Sequence, residues 1–164
     1  MTEDRKYTVR LNKDYLVFSS AHFITFAGNI CERIHGHNYG LEIEVEGPLD
    51  ENSYVIDFIA LRDAAKEVVD KLDHHVLLPT QHDAIKVTSD ADEVTATFED
   101  RRWVFPKEDC VLLDIPNTTA EKLAEHIANQ LTAKLGLGTK IPFTRFSVAV
   151  DENRGQWGIF EQTG

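Results

Sequence analysis

The segment His35-Gly-His-Asn-Tyr-Gly-Leu-Glu-Ile-Glu-Val-Glu-Gly47 alternates Leu41, Ile43 and Val45 with Glu42, Glu44 and Glu46, and Gly47-Pro48 ends it. A period of two puts the aliphatic side chains on one face and the glutamates on the other, so the segment reads as a half-buried strand. One-sided burial of this kind suits an antiparallel sheet with a core on one side and water on the other. Upstream, Tyr7 to Leu11 and Tyr15 to Phe23 are rich in β-branched and aromatic residues and are broken near Asn12-Lys13-Asp14, which predicts a long strand with a bend or bulge. A loop from Ala27 to Arg33 joins the two strands.

Downstream the period changes. From Asp57 to Leu72, apolar residues Phe58, Leu61, Ala65, Val68, Val69 and Leu72 recur at three- and four-residue spacing, the pattern of an amphipathic helix with Asp57 as N-cap. A second helix runs from Thr119 to Leu135, opened by Thr118-Thr119-Ala-Glu121, striped by Leu123, Ile127, Leu131 and Leu135, and closed by Gly136. Between the helices, Val94–Phe98 and Arg102–Phe105, joined by Glu99-Asp100-Arg101, read as an extra hairpin, followed by a short strand at Val111–Ile115. Phe143–Val150 and Trp157–Phe160 close the chain as a hairpin around Asn153-Arg154-Gly155. This order predicts an α+β fold with helices on one face of a mainly antiparallel sheet.

The 164 residues suggest one domain, 1–164, and 42% hydrophobic residues supply a core, which excludes wholesale disorder. With 28 acidic against 17 basic residues the net charge is −11, so binding to a nucleic-acid backbone is disfavoured. No apolar run reaches the roughly 20 residues of a membrane span, and the start MTEDRKYTVR lacks a secretory apolar stretch, so a soluble, cytoplasmic protein is expected. Cys31 and Cys110 are expected to stay unpaired in that compartment.

Chemistry concentrates in Cys31-Glu32-Arg33-Ile34-His35-Gly36-His37. On a strand, His35 and His37 project from one face, and Gly36 permits close approach. His22, at the end of the preceding strand, can be brought opposite them by antiparallel pairing. Three imidazoles with one open position is the arrangement of a catalytic zinc, although two histidines at this spacing also arise by chance. Cys31 is a candidate thiolate base. Asp73 beside His74 can orient an imidazole for proton transfer, or the histidine can simply complement a helix C-terminus. Glu121 can be a capping residue and Glu152 a turn residue.

These residues, in this order, resemble the 6-pyruvoyltetrahydropterin synthase / 6-carboxytetrahydropterin synthase family. Cys31, His35 and His37 meet its Cys-x-x-x-His-Gly-His pattern, after Ser20-Ala21-His22; Leu72-Asp73-His74, Thr119-Ala120-Glu121 and Val148-Ala-Val150-Asp-Glu152 follow, along nearly the whole chain. The resemblance implies a tunnelling fold, with a four-stranded sheet and two helices, assembled into a barrel as a homo-hexamer of two trimers with active sites between subunits. It implies zinc on His22, His35 and His37, and 7,8-dihydroneopterin triphosphate as substrate. It implies Glu152 as the pterin anchor, Thr119 and Glu121 in the same pocket, Cys31 as base, and His74 held by Asp73 as the second acid–base group.

Three departures stand out. Leu77 is followed by Leu78-Pro79 where the family often has Asn, and the segment from about 80 to 109 is longer than in compact members. Glu32, three residues before His35, matches the Glu-x-x-His-Gly-His pattern of a branch that forms 6-hydroxymethyl-dihydropterin and replaces dihydroneopterin aldolase in folate synthesis. The leading expectation is 6-carboxytetrahydropterin synthase on the route to queuosine and related 7-deazaguanines. The alternatives are the folate branch, 6-pyruvoyltetrahydropterin synthase, and a non-catalytic pterin- or metal-binding protein on the same fold.

Overall fold

The computed structural model describes residues 5–164; the first four residues of the segment read for a leader lie outside them. Strand β1 (Tyr7–His22) pairs antiparallel with β4 (His35–Gly47), which pairs antiparallel with β10 (Arg145–Asn153), and β10 with β11 (Gln156–Thr163). These four strands run antiparallel, but the sheet is not the four-stranded one expected. On the other side of β1, two short strands, β5 (His75–Pro79) and β9 (Cys110–Leu113), add in parallel, giving a mixed six-stranded sheet in the order β11-β10-β4-β1-β5-β9. β5 escapes a sequence reading because His75-Val-Leu-Leu-Pro79 is a short unbroken apolar run after a helix, without the alternation that marks a half-exposed strand.

The interruption in β1 is a bulge. Asn12 pairs with Glu42 and Val17 with Gly40, so four residues of β1 face one of β4. Helices α1 (Phe58–Asp70) and α2 (Ala120–Leu135) cover the sheet face that carries Leu41, Ile43 and Val45, and Leu61, Val69, Leu123, Ile127 and Leu131 share one core with them. Asp57 caps α1 by accepting from Ile59 N at 2.7 Å, and Thr119 caps α2. Gly136 ends α2 at φ +69°, the left-handed position glycine takes without Cβ strain. Phe58, expected in the apolar stripe of α1, is 57% exposed; the buried face of the helix begins at Leu61. The alternating glutamates lie on the opposite sheet face, where Arg145 meets Glu44 at 2.7 Å and Glu161 at 3.0 Å.

The segment between β5 and β9 is more than a hairpin. Strands β6 (Lys86–Ser89), β7 (Glu93–Phe98) and β8 (Arg101–Pro106) form a separate three-stranded antiparallel sheet. Val94, Ala96 and Phe98 join Phe23, Leu78 and Ile85 in a second core, against which Cys31, Trp103 and Cys110 pack. The loop after β1 carries its own short ribbon, β2 (Thr25–Phe26) with β3 (Ile30–Cys31). No described helix is long and apolar enough to cross a membrane.

Candidate metal centre and active site

Register assembles the histidines. His22 sits directly opposite His35, and Ser20 opposite His37, so the last turn of the β1/β4 ladder brings three imidazoles from two strands to one face. Gly36 makes this possible: a Cβ there would lie 3.1 Å from the Ser20 carbonyl oxygen. The ring centroids are 4.7 to 5.3 Å apart. Glu152, from the end of β10, completes a group of four residues whose ligand atoms all lie within 4.8 Å of one another.

Hydrogen bonds to the far side of two rings leave their inner nitrogens free. His22 Nδ1 donates to the Thr118 carbonyl at 2.8 Å, and His35 Nδ1 to the Arg33 carbonyl at 2.9 Å. Such bonds fix the tautomer and present the Nε2 lone pair, as in the outer partners of metal-bound histidines. Nε2 of His22 and of His37 are buried without a hydrogen-bond partner. Glu152 Oε1 lies 3.3 and 3.4 Å from these two nitrogens but not in hydrogen-bonding geometry. Unpartnered buried nitrogens are costly, and a cation held by the imidazole nitrogens beside a carboxylate would satisfy them, so the cluster fits a divalent metal ion. Burial pushes the His22 imidazole down to about 4, which keeps it in the neutral form a metal requires.

The two candidate bases sit beside this cluster on the β3 ribbon and the turn after it. Cys31 is half-buried; burial pushes its thiol up, Arg101 opposes that shift, and Glu32 and Glu99 reinforce it. Glu32 is tied on both sides to Ile24: its N–H donates to the Ile24 carbonyl at 3.0 Å, and its Oε1 accepts from Ile24 N at 2.8 Å. The same oxygen lies 3.8 Å from His35 Nδ1.

Asp73 and His74 form a pair of their own at the start of β5. Asp73 Oδ1 accepts from Ser19 N at 2.7 Å and Oδ2 lies 2.8 Å from His74 Nδ1; the Ser19 bond and the His74 contact hold the carboxyl below its usual range. His74 takes φ +60° and its side chain is 83% exposed. Among the described residues no hydrogen bond or ion pair joins it to the histidine cluster, yet His74 and His37 both line a cavity of about 590 Å³ with Ser19, Asn38 and Asp109. Thr119 and Glu121 serve the start of α2: Thr119 Oγ1 accepts from Lys122 N, and Glu121 lies exposed in the first turn. Neither makes a hydrogen bond or ion pair to the cluster among the described residues. Their neighbour Thr118 does, through its backbone carbonyl, which no side-chain pattern can signal.

The geometry agrees with what similar proteins are. Residues 12–163 match the family model described as 6-pyruvoyl tetrahydropterin synthase. A Methanocaldococcus jannaschii protein, provisionally named 6-carboxy-5,6,7,8-tetrahydropterin synthase, is 32% identical over 151 residues, 90% of each chain. The 6-carboxy-5,6,7,8-tetrahydropterin synthase of Rickettsia felis is 30% identical over 126 residues, 74% of this chain and 79% of its own. The crystal structure of 6-pyruvoyl tetrahydropterin synthase from Plasmodium vivax superposes with a TM-score of 0.89 at 30% identity, covering 98% of this chain and 100% of that one. A variant of the P. vivax enzyme, with a glutamate described as a catalytic residue replaced by alanine, superposes with a TM-score of 0.88. A match over nearly the whole chain, together with three histidines brought to one face by strand register, makes this chain a member of the 6-pyruvoyl tetrahydropterin synthase family.

Proposed function

We propose that the protein is a zinc-dependent lyase acting on 7,8-dihydroneopterin triphosphate, and that its principal product is 6-carboxytetrahydropterin, on the route to 7-deazaguanine nucleosides such as queuosine. The observation that carries this reading is the pair of buried, unpartnered Nε2 atoms of His22 and His37 facing one carboxylate. The names of the relatives from M. jannaschii and R. felis support the choice of product. His22, His35 and His37 would hold zinc, which when bound supplies Lewis acidity toward the side-chain hydroxyls of the substrate.

The chain's own residues do the rest. The Glu152 carboxylate can accept two parallel N–H donors from the pterin's amino-pyrimidinone edge, and its place beside His22 and His37 would bring the ring next to the metal. Cys31 takes a proton from the substrate side chain. His74, its Nδ1 held by Asp73, exchanges a proton from another side, and triphosphate departs by elimination. Thr119 and Glu121, on the first turn of α2, would line the pterin pocket from that side.

An assembly of copies would complete this site, since His74 points largely to solvent. The sheet has two open edges, β11 and β9, which expose Trp157 and Ile159 on one and Leu112 on the other. Open edges with exposed apolar residues favour pairing with further copies of the chain, in line with a hexamer of two trimers forming a closed barrel.

Glu32 supports a second reading, cleavage to 6-hydroxymethyl-dihydropterin for folate synthesis, because the P. vivax neighbour uses a glutamate as a catalytic residue. Mass-spectrometric product analysis of metal-loaded protein with 7,8-dihydroneopterin triphosphate separates the readings. The 6-carboxy product is expected from the unaltered chain, falling by about 10²–10⁴-fold in Cys31→Ala. A dominant 6-hydroxymethyl product lost in Glu32→Ala would transfer the protein to the folate branch, and pterin binding without turnover would make it a binding protein.

A further inference from the structure

Local ties on the base-bearing segment are few: Glu32 exchanges two hydrogen bonds with Ile24, and a short ribbon supplies the rest. The ribbon that carries Cys31 has two residue pairs, Thr25 with Cys31 and Phe26 with Ile30. A two-stranded ribbon is at best marginally stable alone, and this one is far shorter than a typical strand pair. After Cys31 the chain runs three residues without strand structure before β4 begins at His35.

What grips this segment comes from the long inserted sheet. Arg101, the first residue of β8, donates from Nη2 to the Cys31 carbonyl at 2.7 Å and from Nη1 to the Glu32 carbonyl at 3.3 Å. One guanidinium therefore holds the backbones of both candidate bases. Its own position is fixed by two rings, with its Cζ 5.5 Å from the centroid of Phe98 and 5.1 Å from that of Trp103. Trp103 in turn stacks on Phe23 at 4.5 Å, and Phe23 directly follows His22. Hydrogen bonds, ring packing and the second core thus connect the insert to the base segment on one side and to the end of β1 on the other. The hydrogen bond to the Cys31 carbonyl keeps the Arg101 charge close to Cys31, where the other charged groups that act on the thiol are Glu32 and Glu99.

We propose that Arg101 is a positioning residue for the reaction, and that the inserted β6–β8 sheet belongs to the catalytic apparatus because this side chain adds to the local Ile24–Glu32 bonds the grip that holds the Cys31–Glu32 segment. The proposal rests on the reading of Cys31 as base. Arginine suits the role because its planar fork makes two fixed hydrogen bonds while its face packs on aromatic rings; lysine supplies the charge without the fork.

Two variants of the metal-loaded protein, Arg101→Met and Arg101→Lys, test it. Turnover is compared with the pH profile of iodoacetamide alkylation, read peptide by peptide so that Cys110 is scored separately. In Arg101→Met, kcat is expected to fall by about 10–100-fold, the scale of a displaced catalytic group, with KM and bound metal little changed. The alkylation midpoint of Cys31 moves upward, because a positive charge that favours the thiolate is gone, while that of Cys110 stays. Arg101→Lys restores the midpoint but only part of kcat. Wild-type kcat in Arg101→Met overturns the proposal. So does faster alkylation of Cys31 at every pH in both variants, since Arg101 would then only cover the thiol. Full turnover in Cys31→Ala instead sinks the base assignment, and the alkylation profiles still report whether Arg101 holds the segment.

Discussion

His35 and Cys31 are four positions apart, yet the structure secures them by different means. The histidine cluster is built into the longest strand pair of the molecule, with His22 opposite His35 and with Thr118 and Arg33 carbonyls fixing two of its rings. The Cys31–Glu32 segment belongs to a two-pair ribbon and is gripped by Arg101, 70 positions along the chain from Cys31, which packs on Trp103; functional groups often sit on such irregular segments supported by a scaffold. The proposed ligands, which have to converge on one point, gain from a rigid ladder. The proposed base sits on a less regular segment, which a second element restrains.

The sharpest way to break this comparison is to disable each side separately. His22→Ala should lower metal affinity by more than the roughly 10–100-fold that loss of an outer partner costs, because it removes a proposed ligand itself; chelator competition measures this. Alkylation of Cys31 should be unaltered in the same variant if the two regions are held independently.

Trp103→Ala attacks the other side. It removes the ring that stacks on Phe23 and supports Arg101, and being half-buried it should cost about 2 kcal/mol, less than the 3–5 kcal/mol of a fully buried aromatic, by urea denaturation. Metal affinity should hold while turnover falls. Loss of metal in this variant would mean that the second core supports β1 as much as it supports the base segment.

The smallest effect concerns the Asp73–His74 pair, which follows the rule of neither region, since a backbone N–H of β1 anchors it. The Asp73 carboxyl is held below its ordinary 3.8, chiefly by Ser19 N–H and then by His74. The unfolded chain therefore binds a proton at Asp73 before the folded one does as the pH falls. Its stabilising contribution is complete above pH 3.8 and disappears as the pH drops through the lower folded value. The stability difference between the unaltered protein and Asp73→Asn should accordingly be present at neutral pH and close in strong acid, as urea titrations at several pH values would register.

Particular residues explain how much of this was legible beforehand. The alternation from Leu41 to Glu46 predicted β4, and the helical stripes of Leu61 to Val69 and Leu123 to Leu131 predicted α1 and α2, because burial on one face writes its period into the chain. The three histidines were readable because His35-Gly36-His37 shares one strand face and His22 ends its neighbour. β2, β3, β5 and β6 were missed, since short strands without alternation carry no distinctive period. Thr118 was missed because it acts through its backbone. Arg101 was missed because an arginine in a hairpin turn looks the same whether solvated or gripping a distant carbonyl.

The sequence by itself determined the α+β class, the antiparallel pairing of β1 with β4, the two covering helices, the family and the three histidines of the candidate metal cluster, all of which rest on local period or on short motifs. Only the tertiary structure decided that the sheet extends to six strands, that Glu152 comes within 3.4 Å of two of the histidines, that His74 stands apart from them on the rim of a shared cavity, and that the inserted sheet grips the base segment. These facts join residues distant in the chain through packing, backbone hydrogen bonds and open sheet edges, and no local pattern in the sequence encodes which distant partners meet.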